Sequence, residues 1–322
     1  MFPRSLLLAI VPLMILSSAM ASADIWPSRT VKILVPYAAG GNSDGMARIA
    51  AQRLAEAFGQ PFIVENRVGA NGSVAGEAVV RSPADGYTLL WAATPSIAIA
   101  PALGSLPYNP INDLAPISVV GINGFVLLVN KDVPAKSLAE FIVYVRARPK
   151  TMSYAEGTAG SVTHLGMALF LKRAGLEMQN VSYRGNAPAL NDVIAGHLPA
   201  MFSNISDAVP HAESGVIRLL AVSTDSRAPQ LLQVPTFAES GFPGFNVMTW
   251  NGLMAPSATP RDIVGRIALE IRKAANDPIF VRRLGAYGAA PLGNTPDDFE
   301  KMIAADTKLW AEAVKFSDVK LQ

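Results

Sequence analysis

The residue types that ordinarily carry chemistry are scarce in this chain. Among its 322 residues are three histidines and no cysteine. The missing thiols remove disulfides, thiolate metal sites, iron–sulfur clusters and cysteine nucleophiles together. The one serine in a G-x-S-x-G frame is Ser43, between Gly41 and Gly45 in the first strand-to-helix loop. Ser161 precedes His164 by three residues, a spacing at which one helical turn seldom aims a nucleophile and a base at a common atom. His197 follows Gly196 in a turn-like context, and His211 falls on a helix with a polar face; both read as surface or capping residues. Metal-ligand spacings such as H-E-x-x-H or D-x-D-x-D-G are absent from the sequence. What recurs is a cluster of glycines, hydroxyls and amides at the passage from a strand into a helix. It occurs at residues 36–44 (PYAAGGNSD), 66–76 (NRVGANGSVAG), 157–164 (GTAGSVTH), 183–186 (YRGN) and 203–207 (SNISD). Such a passage leaves backbone N–H groups open at a helix N-terminus, which suits an anion and contributes ~0.3–1 kcal/mol per helix end, more where water is excluded. The competing reading of each hydroxyl is ordinary helix capping. The first loop fits neither the Gly-Lys-Ser/Thr ending nor the G-x-G-x-x-G spacing of the known phosphate loops. A carboxylate ligand there would also compete with Asp44, unless that side chain turns inward to cap the helix.

The elements that must position these loops follow from hydrophobic periodicity. Residues 31–36 read as a buried strand, and 44–58 as an amphipathic helix stopped by Gly59. The segments 62–65, 70–81 and 88–92 continue strand, helix, strand. A central block repeats the rhythm: strands at 126–130, 153–154, 181–183, 200–202 and 217–222, with helices at 138–148, 162–174, 187–195 and 208–213. From Pro260 the chain is mostly helical, at 261–275, 278–284 and 296–314. This alternation predicts an α/β fold built from βαβ units on a largely parallel sheet. Pro107, Pro110 and Pro116 precede a long β run at 117–130, and GFPG at 241–244 precedes another at 247–255. Two such runs bracketing an α/β insert predict two lobes, with residues 24–124 plus 251–322 in the first and 125–250 in the second. Between them lie a hinge and an interlobe cleft, the usual place for a ligand. Trp26, Trp91, Trp250 and Trp310 read as core or lobe-packing residues, with Trp250, at the second crossing, the one placed to touch a ligand.

Composition narrows the classes further. Half the residues are apolar and 16% are charged, which excludes a disordered chain. Lys+Arg number 27 against 25 Asp+Glu, so nothing favours nucleic acid held through phosphates. Residues 1–23 have the parts of a secretory signal: Arg4, an apolar run at 6–16, and Ala21-Ser22-Ala23 as a small-x-small site with cleavage after Ala23. That run is shorter than the ~20 residues a spanning helix needs.

In their order along the chain, the segments WPSR (26–29), PYAAGGNSD (36–44), VENR (64–67) followed by GANG (69–72), DGYTLL (85–90), LPY (106–108), THL (163–165), YRG (183–185) with APA (187–189), and VPT (234–236) resemble the Bug family. These are the periplasmic substrate-binding proteins of tripartite tricarboxylate transporters, and the likeness covers nearly the whole chain from Trp26 onward. The resemblance implies a two-lobed type II periplasmic-binding (Venus-flytrap) fold that closes by a hinge. It implies a small organic carboxylate gripped by loop backbones and bridging waters, inner-membrane transporter subunits as partners, a monomer, and no cofactor, metal or catalysis. It places the ligand at Tyr37, Ala38, Ala39, Gly40, Ser43 and Asp44 in the first loop, with Thr94 beside them. From the second lobe it brings Thr158, Ala159, Ser161, Thr163, Ser203, Asn204 and Asp207. Two positions depart from the family pattern. Ala38-Ala39 replaces a pair of prolines, implying a looser or wider first loop. Ser203 replaces an aspartate, which favours a plain mono- or dicarboxylate, aromatic ones included, over an amino acid; Asp207, one turn on, can restore the missing charge. A ligand sensor for a signalling partner and a secreted hydrolase on a carboxylated substrate stand as the alternative functions.

Overall fold

In the computed structural model, residues 26–157, 159–183, 185–317 and 319 are described; the expected signal segment 1–23 and Thr158 lie outside them. The first half of the chain opens with β1 (Val31–Val35), α1 (Asn42–Phe58), β2 (Phe62–Asn66), α2 (Ser73–Val80), β3 (Thr88–Ala93) and α3 (Ala100–Leu103). A 17-residue strand, β4 (Leu114–Asn130), then leads into α4 (Leu138–Arg146), β5 (Ser153–Glu156), α5 (Val162–Ala174), β6 (Gln179–Ser182), α6 (Asn186–Ile194), β7 (Ala200–Asn204), α7 (Ile205–Glu213) and β8 (Ile217–Val222). The chain returns through β9 (Met248–Pro256) to α8 (Arg261–Ala274), α9 (Pro278–Gly285), β10 (Ala290–Pro291) and α10 (Pro296–Phe316).

The fold is α/β and two-lobed, but the sheet is not largely parallel. The order is β2-β1-β3-β9-β4-β7-β5-β6, with β8 and β10 also pairing β4. β1 pairs β2 and β3 in parallel, and β5 pairs β6 and β7 in parallel. Every pairing of β4 and β9 is antiparallel. The βαβ rhythm correctly foretold the two flanking parallel blocks. The antiparallel centre comes from strands whose partners lie about seventy to 170 residues away, a pairing that local periodicity does not encode.

β4 divides at Gly124. Residues Leu114–Gly124 run along β9 in the first lobe, whereas Phe125–Asn130 pair β7 and β8 in the second. The return crossing lies beside it, at Val247. Ser223, fully buried, fastens the two crossings together: its Oγ accepts from the Phe125 N–H (3.0 Å) and donates to the Val247 carbonyl (2.5 Å). Its own N–H donates to the Phe125 carbonyl at 2.9 Å.

Each lobe has its own apolar layer. α1 and α8 bury one stripe each, including Met46, Ile49, Ala50 and Leu54 from α1, which packs on β2 and β1, and Ile263, Ile267 and Ile271 from α8, which packs on β4 and on α1. In the second lobe Phe125 stacks on Phe202 at 5.7 Å, Phe237 and Phe245 pack edge-on to Phe202, and Phe170 packs edge-on to both Phe237 and Phe245. A third layer is continuous across the molecule, because α10 packs on α5 of the second lobe as well as on β4 and α8. Trp250 is wholly buried at the return crossing, edge-to-face with Phe299 of α10, and donates its indole N–H to Asp306 at 2.7 Å. It is a packing residue, as the sequence predicts for the four tryptophans, and does not line the cavity between the lobes. Burial, only partly relieved by that N–H, pushes the Asp306 carboxyl up to about 6.

Candidate functional site

A cavity of about 340 Å³ opens where the two lobes meet. The first lobe supplies Tyr37, Asn42, Ser43, Ala93 and Pro95; the crossing strands supply Asn123, Thr249 and Asn251; the second lobe supplies Asn204, Ser206 and Asp207. A larger depression, about 560 Å³, lies between the start of β4, α8 and α10, from Pro110 through Arg261 to Ala304. Its walls leave out the second lobe, so a guest there would not draw the lobes together.

The first wall is built by the loop between β1 and α1. Gly40 takes φ +82°, a left-handed conformation that glycine adopts without strain, and turns the chain into α1. The N-cap of α1 is Gly41, with no side-chain cap, so its first-turn N–H groups lack an intrahelical acceptor. Asp44, in that same first turn, faces inward. It accepts from the Gly40 N–H (2.9 Å), from Arg48 Nε and Nη2 (2.9 and 3.0 Å) and from Asn66 Nδ2 (2.8 Å). Burial alone would raise its pKa, but the Arg48 bonds, the Gly40 amide and the Asn66 amide outweigh it and hold the carboxyl at about 2. The helix is thus left with an open N-terminus and an internal acid whose charge is matched by Arg48. Asp44 is part of the scaffold of the loop, and its carboxylate does not line the cavity.

Beneath the loop, Ser43 donates to Asn251 Oδ1 (2.5 Å) and accepts from the buried Trp91 Nε1 (3.0 Å), fixing the floor. Tyr37 lines one side; its hydroxyl lies beside Ser96, and burial pushes it up to about 12, so it stays protonated. Asn42 and Asn123 both donate to the Tyr287 carbonyl, at 2.8 and 3.0 Å. The second wall is the N-terminus of α7, whose N-cap residue Asn204 makes no capping bond; its side chain reaches Asp207 instead (3.1 Å). Ser206 abuts the turn at Gly288, where an added Cβ would lie 2.4 Å from the serine Cβ.

Of the positions foreseen from the sequence, Tyr37, Ser43, Asn204 and Asp207 line the cavity. Ala38, Ala39 and Gly40 are exposed on the loop above it. Thr94 is buried and accepts from the Trp250 N–H at 2.9 Å, which makes it a brace between β3 and β9. Ser203 is fully buried in β7. Ser161 is a helix cap, accepting from the His164 N–H and pairing with Thr163 Oγ1 at 2.9 Å. The His164 ring turns the other way: Nδ1 accepts from Gly160 and lies 3.0 Å from the buried Glu156. Gly160 is set against Leu103 of the first lobe, but neither Gly157 nor any of residues 159–163 lines the cavity. Sequence reasoning missed Asn123, Thr249 and Asn251, because only the pairing of β4 with β9 brings them under the first loop. It also left out Asn42 and Ser206 as contacts, though both stand in loops it had singled out.

Two lobes joined by paired crossings, with a polar cleft whose described lining holds no cationic side chain at the switch between them, define a two-lobed solute-binding protein of the periplasmic type. The family is settled by sequence: the chain belongs to the tripartite tricarboxylate transporter family receptors (TctC), whose family model matches residues 46–318. It is 35% identical to Protein BugT of Bordetella pertussis, over 98% of each chain. Two solved structures resemble it closely. R. palustris Rpa4515 with adipate is 35% identical at TM-score 0.74, covering 90% of this chain and 98% of that one. MatC of Rhodopseudomonas palustris with bound malate is 31% identical at TM-score 0.71, covering 90% and 100%.

Proposed function

We propose that this chain is a periplasmic solute receptor that captures a small organic carboxylate in the interlobe cleft and hands it, unaltered, to the membrane subunits of a tripartite tricarboxylate-type transporter. The lobes would comprise residues 24–124 with 251–322, and 125–250. The observation that carries the reading is the open N-terminus of α1 beside a cleft whose described lining holds no Lys, Arg or His. Without a cation to grip it, an anion is held by main-chain amides, neutral side chains and water. Adipate and malate in the two related structures are of this chemical class. Closure of the lobes would then report occupancy to the transporter. A thermal-shift panel of mono- and dicarboxylates tests the proposal, with each compound recovered and analysed afterwards. A receptor is stabilised by about RT ln(1 + [L]/Kd) and returns its ligand unchanged. Consumption of the compound, or no stabilisation by any carboxylate, defeats it.

A further inference from the structure

The two helix ends that meet at the cleft are not electrostatically alike. In α1 the first-turn acid, Asp44, is buried and paired with Arg48, so the positive end of the helix remains open. In α7 the first-turn acid, Asp207, is exposed, lines the cavity, and has no ion-pair partner among the described residues. Its contacts are the Asn204 amide (3.1 Å) and the Ser206 hydroxyl (3.4 Å). It is also the one charged side chain among the described lining residues. The positive end of α7 is therefore already matched by a carboxylate of its own, and that carboxylate faces the guest.

We propose that Asp207 sets the polarity of the ligand. The α1 end takes the carboxylate, and the α7 end takes a hydrogen-bond donor, a hydroxyl or an ammonium, in place of a second carboxylate. This rests on the receptor reading and narrows it to carboxylates with a donor at the distal end. A second carboxylate in that place would stand against Asp207 in a site partly cleared of water, where juxtaposed like charges are costly.

The test uses the full chain and three probes of equal length: adipate, 6-hydroxyhexanoate and 6-aminohexanoate. Calorimetry is run on the wild type, on Asp207→Ser and on the isosteric Asp207→Asn. The wild type should bind at least one of the two donor-ended compounds about tenfold or more tighter than adipate. Both variants should lose that preference, chiefly by gaining affinity for adipate. Because residue 207 is exposed, the variants should fold, and unchanged melting temperatures without ligand check this. If the wild type prefers adipate, or if the preference survives in both variants, Asp207 is not the determinant, while the receptor reading stands. If no probe binds wild type or variants and the wider carboxylate panel also fails, the receptor reading falls and takes this proposal with it.

Discussion

Asp44 and Asp207 occupy the same first-turn position in two helices, and their surroundings give them opposite duties. Asp44 is buried, so its carboxylate must be matched, and Arg48 four residues on matches it. Its pKa of about 2 lies below the ~3.9 of an unfolded aspartate. Because the folded value is depressed, the stabilisation is complete above about pH 4 and drains away as pH falls toward 2. Asp44→Asn should therefore lower stability at pH 7 by about 2 kcal/mol, and the difference from wild type should vanish on acidification. Urea unfolding at several pH values measures both. The pairing was only half legible in the sequence. The i, i+4 spacing of Asp44 and Arg48 is visible there, but the loop amide of Gly40 and the distant Asn66, which turn the side chain inward, are not.

Among the elements, α10 and the return strand β9 share the most consequential contact, the Trp250–Asp306 bond behind the cleft. Burial raises the Asp306 pKa to about 6, above its unfolded value, so its cost to stability grows as pH rises from about 4 through 6. Asp306→Asn keeps an oxygen for the Trp250 N–H and removes the charge. It should be roughly 1–2 kcal/mol more stable than wild type at pH 7 and should converge with it near pH 4, as calorimetric melting against pH would reveal. At the cleft mouth, Gly288 has φ +66° and no room for a Cβ beside Ser206 of α7. Gly288→Ala should cost about 1–2 kcal/mol in backbone strain and also push α7 outward. Carboxylate affinity should fall more than the loss of stability alone would account for, which titration calorimetry beside denaturant unfolding separates.

For the molecule as a whole, the paired crossings at Phe125 and Val247, fastened by Ser223, form a narrow neck, while α10 packs on both lobes behind it. For a receptor that closes on its ligand, opening and closing of the cleft about this neck is the expected motion. A bound carboxylate should reduce the radius of gyration in small-angle scattering, and should change the fluorescence of Trp91, whose indole bonds to Ser43 and Asn251 at the cavity floor. An unchanged profile at saturation would contradict closure on the ligand.

The amino-acid sequence by itself determined the α/β alternation and the loops that open helices. These are local matters, set by periodicity and by glycine, amide and hydroxyl residues at strand ends. The helix over Val162–Ala174 and the strand over Ile217–Val222 have the bounds their periodicity predicts. Tertiary structure alone decided which of those loops line the cavity. Ser161 and Asn204 read alike as hydroxyl and amide before a helix, yet one caps its helix and the other makes no capping bond and lines the cavity. The antiparallel union of β4 and β9 brought Asn123 and Asn251 beneath the first loop. Pairing across so long a stretch of chain is fixed by global packing, and no local pattern records it.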